Sequence, residues 1–453
     1  MNVGPVLART VRHFFPDLDE WIEQIEDPRF APFITYSKRF LLWWGLMLFL
    51  TKLGSRRQLD HQLRTDGPEV LANVNRLAGA KQDTCPVNKT LEHFLEKIED
   101  SALAELRRKL VNRLIRMRVL DEARLQARHV VLIDGSGYLT FSREHCEHCL
   151  TRRRGETTVY MHQVLEAKVL GPAHTVFSIG TEFIDNRDAQ SLSTESSQER
   201  IKQDCELKAL RRLAAKLRVD FPQLRICLSG DGLFACGEGF QIAKDYRFDY
   251  VYTFKAGRMP ALWQDFQGLL RLCPEQQVEI TTPEKVRRTY RWAFLQYRDS
   301  DGRDWSFTGI HLRETKADNT ETEWAWVTSL NVSLETVVEI ATTGGRERWR
   351  MENEGFNIQK NSGLNLEHAY SYTNWAAYYF LLQIAHLVLQ LMEKGSLLRQ
   401  LAAERGLSTA MKLFGSLKNV AQRLLESLRY LNWPDNAFDA ELGRRIQIRI
   451  DSS

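Results

Sequence analysis

The order of apolar runs between His129 and Phe254 limits the fold more than any other feature of the chain. HVVLIDGSGYLTF, TTVYMHQVLEAKVL and HTVFSIGTEFI follow one another as β-rich runs, separated by Gly, Pro or charged turns. A helical pattern from Ser197 to Leu217 comes next, then the strand RICLSGDG, a short helix around Gln241 to Asp245, and the strand DYVYTF. Three strands, a helix, a strand, a helix and a strand predict an α/β unit with a mixed sheet over residues 129–256.

The flanks read differently. Residues 1–128 are helical in pattern, and the stretch from Leu91 to Arg128 places Leu103, Leu106, Leu110, Leu114 and Met117 at helical spacing. Between Ala104 and Arg128 stand eight bases (Arg107, Arg108, Lys109, Arg113, Arg116, Arg118, Arg124 and Arg128) against three acids. Such a face is either solvated or a surface for phosphates. Residues 257–330 turn β-like, with VEITT, TYRWAFLQY, WSFTGIHLR and EWAWVTSL; residues 331–370 return to helix, and 371–453 form an apolar helical region. The run Phe40 to Leu50 (FLLWWGLMLFL) is roughly half of the ~20 apolar residues a bilayer span needs, so a buried helix is expected there.

Composition narrows the class. With 43% hydrophobic and 26% charged residues, the chain is neither disordered nor collagen-like, and 453 residues imply several structural units. Lys and Arg number 62 against 58 acids, so bulk charge does not establish a nucleic-acid partner. Seven cysteines, an odd number, do not suit a secreted disulfide framework. The first twenty residues meet acids and aromatics too early for a signal peptide. A soluble, intracellular protein is the expectation.

Three acids stand out by context. Asp134 follows VVLI and precedes Gly-Ser-Gly; Asp231 follows ICLSG and precedes Gly232. Carboxylates on central strands are costly to bury unless paired or bound to metal, and two in one sheet are a candidate site for a hard divalent cation. The alternative is that each Asp caps the turn after its strand. The third acid, Glu352, lies in GGRERWRMENEGFNIQKN, where a regular helix puts Arg348, Glu352 and Phe356 on one face and Glu354 about 200° away from Glu352.

This order of acids, with a β-like block before the third, resembles the DDE transposases. The similarity is closest to the insertion-sequence group whose ribonuclease-H-like domain is interrupted by a β subdomain. Arg348, Trp349, Arg350, Met351 and Glu352 match that group's Arg-x3-Glu core. Trp324-Ala-Trp-Val-Thr-Ser resembles the last insertion strand of the hairpin-forming members, and the spacing from Thr328 to Arg348 suits that pattern. The resemblance covers roughly residues 125–370. Two positions depart from it: the family's Tyr falls at Gly345, and its Lys falls at Gln359, with Lys360 one place late. A one-residue shift is about 100° on a helix, so Lys360 substitutes only if the helix carries a local bulge.

The resemblance implies a ribonuclease-H-like core with a β-rich insertion and α-helical N- and C-terminal regions, the N-terminal one a candidate for DNA binding. The implied activity is metal-dependent DNA cleavage and strand transfer in transposition. Asp134 would bridge two Mg²⁺ ions (or Mn²⁺), with Asp231 and Glu352 each holding one; Trp324, Arg348, Arg350 and Lys360 would contact DNA. The implied partners are double-stranded transposon ends and target DNA, met by a homodimer without a membrane in a bacterial cytoplasm, at the nucleoid. Two alternatives remain: a transposase-derived DNA-binding protein without catalysis, and a structure-selective metal-dependent nuclease on the same fold.

Weaker signals complete the reading. His145-Cys146-Glu147-His148-Cys149 carries a C-x2-C with interleaved histidines, half of a zinc site by spacing, for which Cys205, Cys236 or His162 would have to supply the rest. Without a second C-x2-C pair, incidental thiols in a loop are the competing interpretation. The basic aromatic stretch Lys285–Trp292 suits either a DNA backbone or a strand with one wet face.

Overall fold

A computed structural model describes residues 2–146, 149–186 and 205–450. The chain is a mixed α/β protein with one large mixed sheet and helical flanking regions, and it divides into two units. The first comprises Met1–Val119, Gly171–Ser178 and Glu354–Ser453; the second comprises Leu120–Leu170 and Ile179–Asn353.

The first unit is helical and draws on both ends of the chain. Lys38–Leu50 is a helix capped by Ser37, and every residue from Phe40 to Leu50 is buried. The other long apolar helix, Trp375–Lys394, has the length and hydropathy of a membrane span, yet it is almost wholly buried within the protein. Near the other end, Trp433 is fully buried and donates its indole N–H to Ser427 Oγ (3.0 Å), which in turn accepts the Gly4 amide (3.0 Å). The helix Asp100–Arg116 stops well short of Arg128. Arg118 adopts a left-handed φ of 60°, which terminates the α pattern.

The second unit is built on the sheet. Its strands are β1 (Arg124–Leu125), β2 (Arg128–Phe141), β3 (Leu150–Arg154), β4 (Thr157–Leu170), β5 (Val176–Ile184), β6 (Ile226–Gly230), β7 (Asp249–Thr253), β8 (Gln277–Thr281), β9 (Arg287–Arg298), β10 (Asp304–Thr315) and β11 (Glu321–Thr328). They run in the order β3-β4-β2-β6-β7-β11-β10-β9-β8, with β1 on β2 and β5 on β4. The β2–β4 pair is antiparallel, β2–β6 and β6–β7 are parallel, and β7–β11 is antiparallel. β4 and β5 are joined by too few residues for a crossover, so they form a hairpin. Helix Glu206–Asp220 precedes β6, and helix Gly237–Asp245 supplies the crossover between the parallel neighbours β6 and β7.

Two sequence expectations need correction. The block 257–330 is not wholly β: Pro260–Leu272 is a helix, with Pro at its first position and Leu262, Phe266 and Leu270 buried at i, i+4 and i+8. Within that block β11 hydrogen-bonds to β7 and continues the central sheet outward. The segment around Glu352 is not a regular α-helix either. Ile340–Gly345 and Met351–Asn357 are π-helical, with a 3-10 turn at Arg346–Arg348 between them, so the single face deduced from 3.6 residues per turn does not hold. Phe356 is buried while Glu352 is exposed. The predicted helix beginning at Ser197 is described from Glu206; residues 197–204 lie outside the described residues.

Candidate active site

Strand register sets the two aspartates side by side. β2 and β6 pair in parallel with Leu132 opposite Ser229. Asp134 stands two residues further along β2 and Asp231 directly beyond the end of β6, near enough that Asp231 acts electrostatically on Asp134. Both sit where an apolar strand leaves the core: Val130 to Ile133 and Ile226 to Leu228 are buried, whereas the two carboxylates are half-buried. The turn-capping alternative fits Asp231, whose Oδ1 accepts the Leu233 amide (2.8 Å); Asp134 lies within β2, where its Oδ1 accepts the adjacent Gly135 amide (3.0 Å).

The segment bearing Glu352 lies over that same face. Ser229, two residues before Asp231, donates its hydroxyl to the Gly344 carbonyl (2.6 Å). One position on, a Cβ at Gly345 would stand 2.5 Å from the Trp326 indole, so no larger residue fits there. The phenol that the resemblance called for is thus excluded by Trp326, which is itself buried. From this anchored turn Arg348 reaches Asp134, with Nη1 3.5 Å from Oδ2. Glu352 follows within electrostatic reach of Asp134.

Glu206 escaped the sequence reading. It opens the helix Glu206–Asp220, and its carboxylate packs against Gly135, where a Cβ would stand 2.2 Å from Oε1. Because Gly135 alternates with Asp134, this fourth acid approaches from the opposite face. Its signal was masked by the charges crowding ERIKQDCELKALRRL.

The electrostatics reflect this crowding. Burial pushes Asp134 up to about 6; Arg348 opposes the rise, while Asp231 and Glu352 add to it. Glu206 is pushed up to about 7, by burial first and then by Asp134 and Asp231. Glu166, opposite Asp134 on β4, stands apart from this group. It is fully buried, accepts the Thr181 hydroxyl (2.7 Å) and has Lys168 Nζ 3.7 Å away. Asp231 and Glu352 act electrostatically on Asp134, and Asp134 and Asp231 act on Glu206. They are not drawn to within 4.8 Å of one another; among the described residues, only Cys146, Cys149 and His162 form such a close set.

The remaining residues fall in varied places. Trp324 lies on β11 two residues from Trp326, is half-buried, and carries the Arg346 guanidinium 4.2 Å above its ring; Arg346 is held in turn by Glu314 (2.7 Å). Arg350 is buried, ion-paired with Glu347 and stacked on Trp349 (4.6 Å), which leaves Arg348 as the guanidinium on Asp134. A π-turn does intervene between Glu352 and Lys360, but Lys360 belongs to the helical unit and pairs with Glu367 (2.8 Å). Gln359 is fully buried there, bonded to Gln383 (2.8 Å) and His386 (3.0 Å).

The basic stretch 107–128 is largely engaged internally. Arg107 is buried against Ser178 and Phe380, Arg108 pairs with Glu105, Arg124 with Asp121, and Arg128 with Asp249. Arg288 in the basic aromatic strand is likewise bound by Glu314 (2.9 Å). No family model and no curated protein matches this chain.

Proposed function

We propose that this protein is a DNA transposase of the DDE type, cleaving and joining phosphodiesters at the Asp134–Asp231–Glu352 site. The observation that supports the reading is the β2–β6 pairing, which makes neighbours of the strands leading to Asp134 and Asp231, with Gly344 on Ser229 and Arg348 on Asp134. The strand order β5-β4-β2-β6-β7, with antiparallel neighbours on one side of β2 and parallel ones on the other, supports a ribonuclease-H-like core. The β-rich block between β7 and the third acid supports the insertion-bearing group within that fold.

The chemistry follows from the side chains. Bound between these carboxylates, paired divalent cations would supply activation of a water or a 3′-hydroxyl and stabilise the leaving oxygen. Asp134, central in the row, would be shared, with Asp231 and Glu352 at its two sides. Glu206, from the opposite face, would add a further oxygen or accept a proton. Arg348, now on Asp134, is placed to turn its guanidinium to a phosphate. Trp324 would offer its ring to an unstacked base once Arg346 moves off it.

Labelled duplex ends incubated with target DNA, with and without Mg²⁺, test the proposal. Mg²⁺-dependent joined products are expected. Glu206 is one carboxylate more than the triad needs and favours, as second reading, a metal-dependent nuclease; cleavage without joining would select it. Binding without cleavage would reduce the protein to a DNA-binding relative of transposases.

A further inference from the structure

Beyond the carboxylates, at the far end of the same long strand, lies a second cluster of different chemistry. β2 runs past Asp134 through a bulge between Gly137 and Leu139, and His162 on β4 stands opposite Leu139. The connection from β2 to β3 brings Cys146 and Cys149 against that histidine. A main-chain bond from the Cys149 amide to the Cys146 carbonyl (3.2 Å) holds the two cysteines together. The Cys149 carbonyl is fixed in addition by the Asn186 side chain (3.1 Å). His148, the other histidine of the motif, lies outside the described residues.

The distances decide what this cluster is. The two sulfurs are 3.6 Å apart, and His162 Nε2 is 3.4 Å from one and 3.5 Å from the other. A disulfide requires ~2.05 Å, so the pair is not one. Tetrahedral zinc, with bonds of ~2.3 Å to sulfur and ~2.0–2.1 Å to nitrogen, requires edges of ~3.8 Å between sulfurs and ~3.5 Å between sulfur and nitrogen. All three separations match one face of that tetrahedron to within about 0.2 Å. Cys149 and His162 are buried and Cys146 is half-buried, as suits a structural site closed to bulk water. Two soft sulfurs and an imidazole disfavour Mg²⁺ and favour zinc.

We propose that Cys146, Cys149 and His162 bind a structural Zn²⁺ that fastens the β2–β3 connection to β4. Binding displaces the proton of each thiol, so both cysteines ligate as thiolates. The fourth position is completed by water or a further side chain. The clamp fixes the start of β3, whose Arg152 and Arg153 are exposed. This proposal rests on the thiol–imidazole geometry alone and stands whether or not the protein acts on DNA.

Metal analysis of the full-length protein, purified without chelator, is expected to give about one zinc per chain. The Cys146→Ser/Cys149→Ser double variant should lose that zinc at least tenfold. Should the variant fail to fold, cobalt exchange into the wild-type protein decides instead. Intense thiolate-to-cobalt charge-transfer absorption with tetrahedral ligand-field bands is expected. Wild-type protein that holds no zinc and gives no such absorption with cobalt would overturn the site. So would a folded double variant with undiminished zinc.

Discussion

The carboxylates around Asp134 and the thiols around His162 differ in how closely the fold draws them together. Around Asp134 the donors are carboxylate oxygens of like charge, gathered from two strands, a π-helical segment and a helix start, with Arg348 as counter-charge. Around His162 the donors are two sulfurs and a nitrogen, already at coordination distances and largely enclosed. Thiols and imidazole in their uncharged forms do not repel one another, so packing them close meets no charge penalty. Ionised carboxylates repel, and a fold can only hold them loosely until cations enter. On the proposed reading, a site that must admit substrate would be left wide, whereas one that fastens a loop would be closed in advance.

Substitution at the first place should break the contrast most sharply. Asp134→Asn is expected to reduce Mg²⁺-dependent cleavage roughly a thousandfold or more while leaving zinc content unchanged. Loss of zinc in that variant would mean that the two places are one cooperative site. Stripping zinc should act oppositely, lowering the melting temperature by about 5 °C, while removal of Mg²⁺ alone leaves that temperature nearly unmoved at pH 5. Differential scanning calorimetry across a chelator series separates the two.

Trp324→Ala probes the outer part of the sheet face that carries the acids. It should spare the first nick and slow second-strand processing about tenfold, the worth of one base stack. Equal slowing of both steps, followed on end-labelled duplexes, would return Trp324 to a packing role beside the buried Trp326.

The smallest effect is a pH dependence. Asp134 near 6 and Glu206 near 7 lie above the unfolded carboxylate values of ~3.9 and ~4.3, so the folded state binds more protons between those limits. Their contribution to stability is complete below about pH 4 and declines as the pH rises through 7. Urea midpoints without divalent metal should show this fall, Mg²⁺ should offset it at pH 8, and Glu206→Gln should make it shallower. A variant as steep as the wild type would remove Glu206 from the cluster.

Much of this was legible in the residues. ICLSG before Asp231 announces a strand end, and VVLI before Asp134 a buried strand, although β2 continues to Phe141. Glu206 could not be read, since nothing in a charge-rich helix tells which acid faces a glycine on a neighbouring strand. The π-turns were equally hidden; they answer to tertiary contacts such as Ser229 with Gly344 and Gly345 with Trp326. The Pro260–Leu272 helix did carry its signal in Leu262, Phe266 and Leu270, but the β-rich sequence on both sides obscured it.

The union of β7 with β11 has a consequence for biosynthesis. Tyr252 and Thr253 find their partners Val327 and Trp326 only after some seventy further residues have left the ribosome. At ~5–20 residues per second that is an interval of roughly 4–15 s, during which the open rim of β7 offers unpaired amides and carbonyls to any passing strand. The nascent chain is thus most exposed to mispairing before β11 emerges, and a chaperone that shields this rim would raise yield more than one acting on the finished protein.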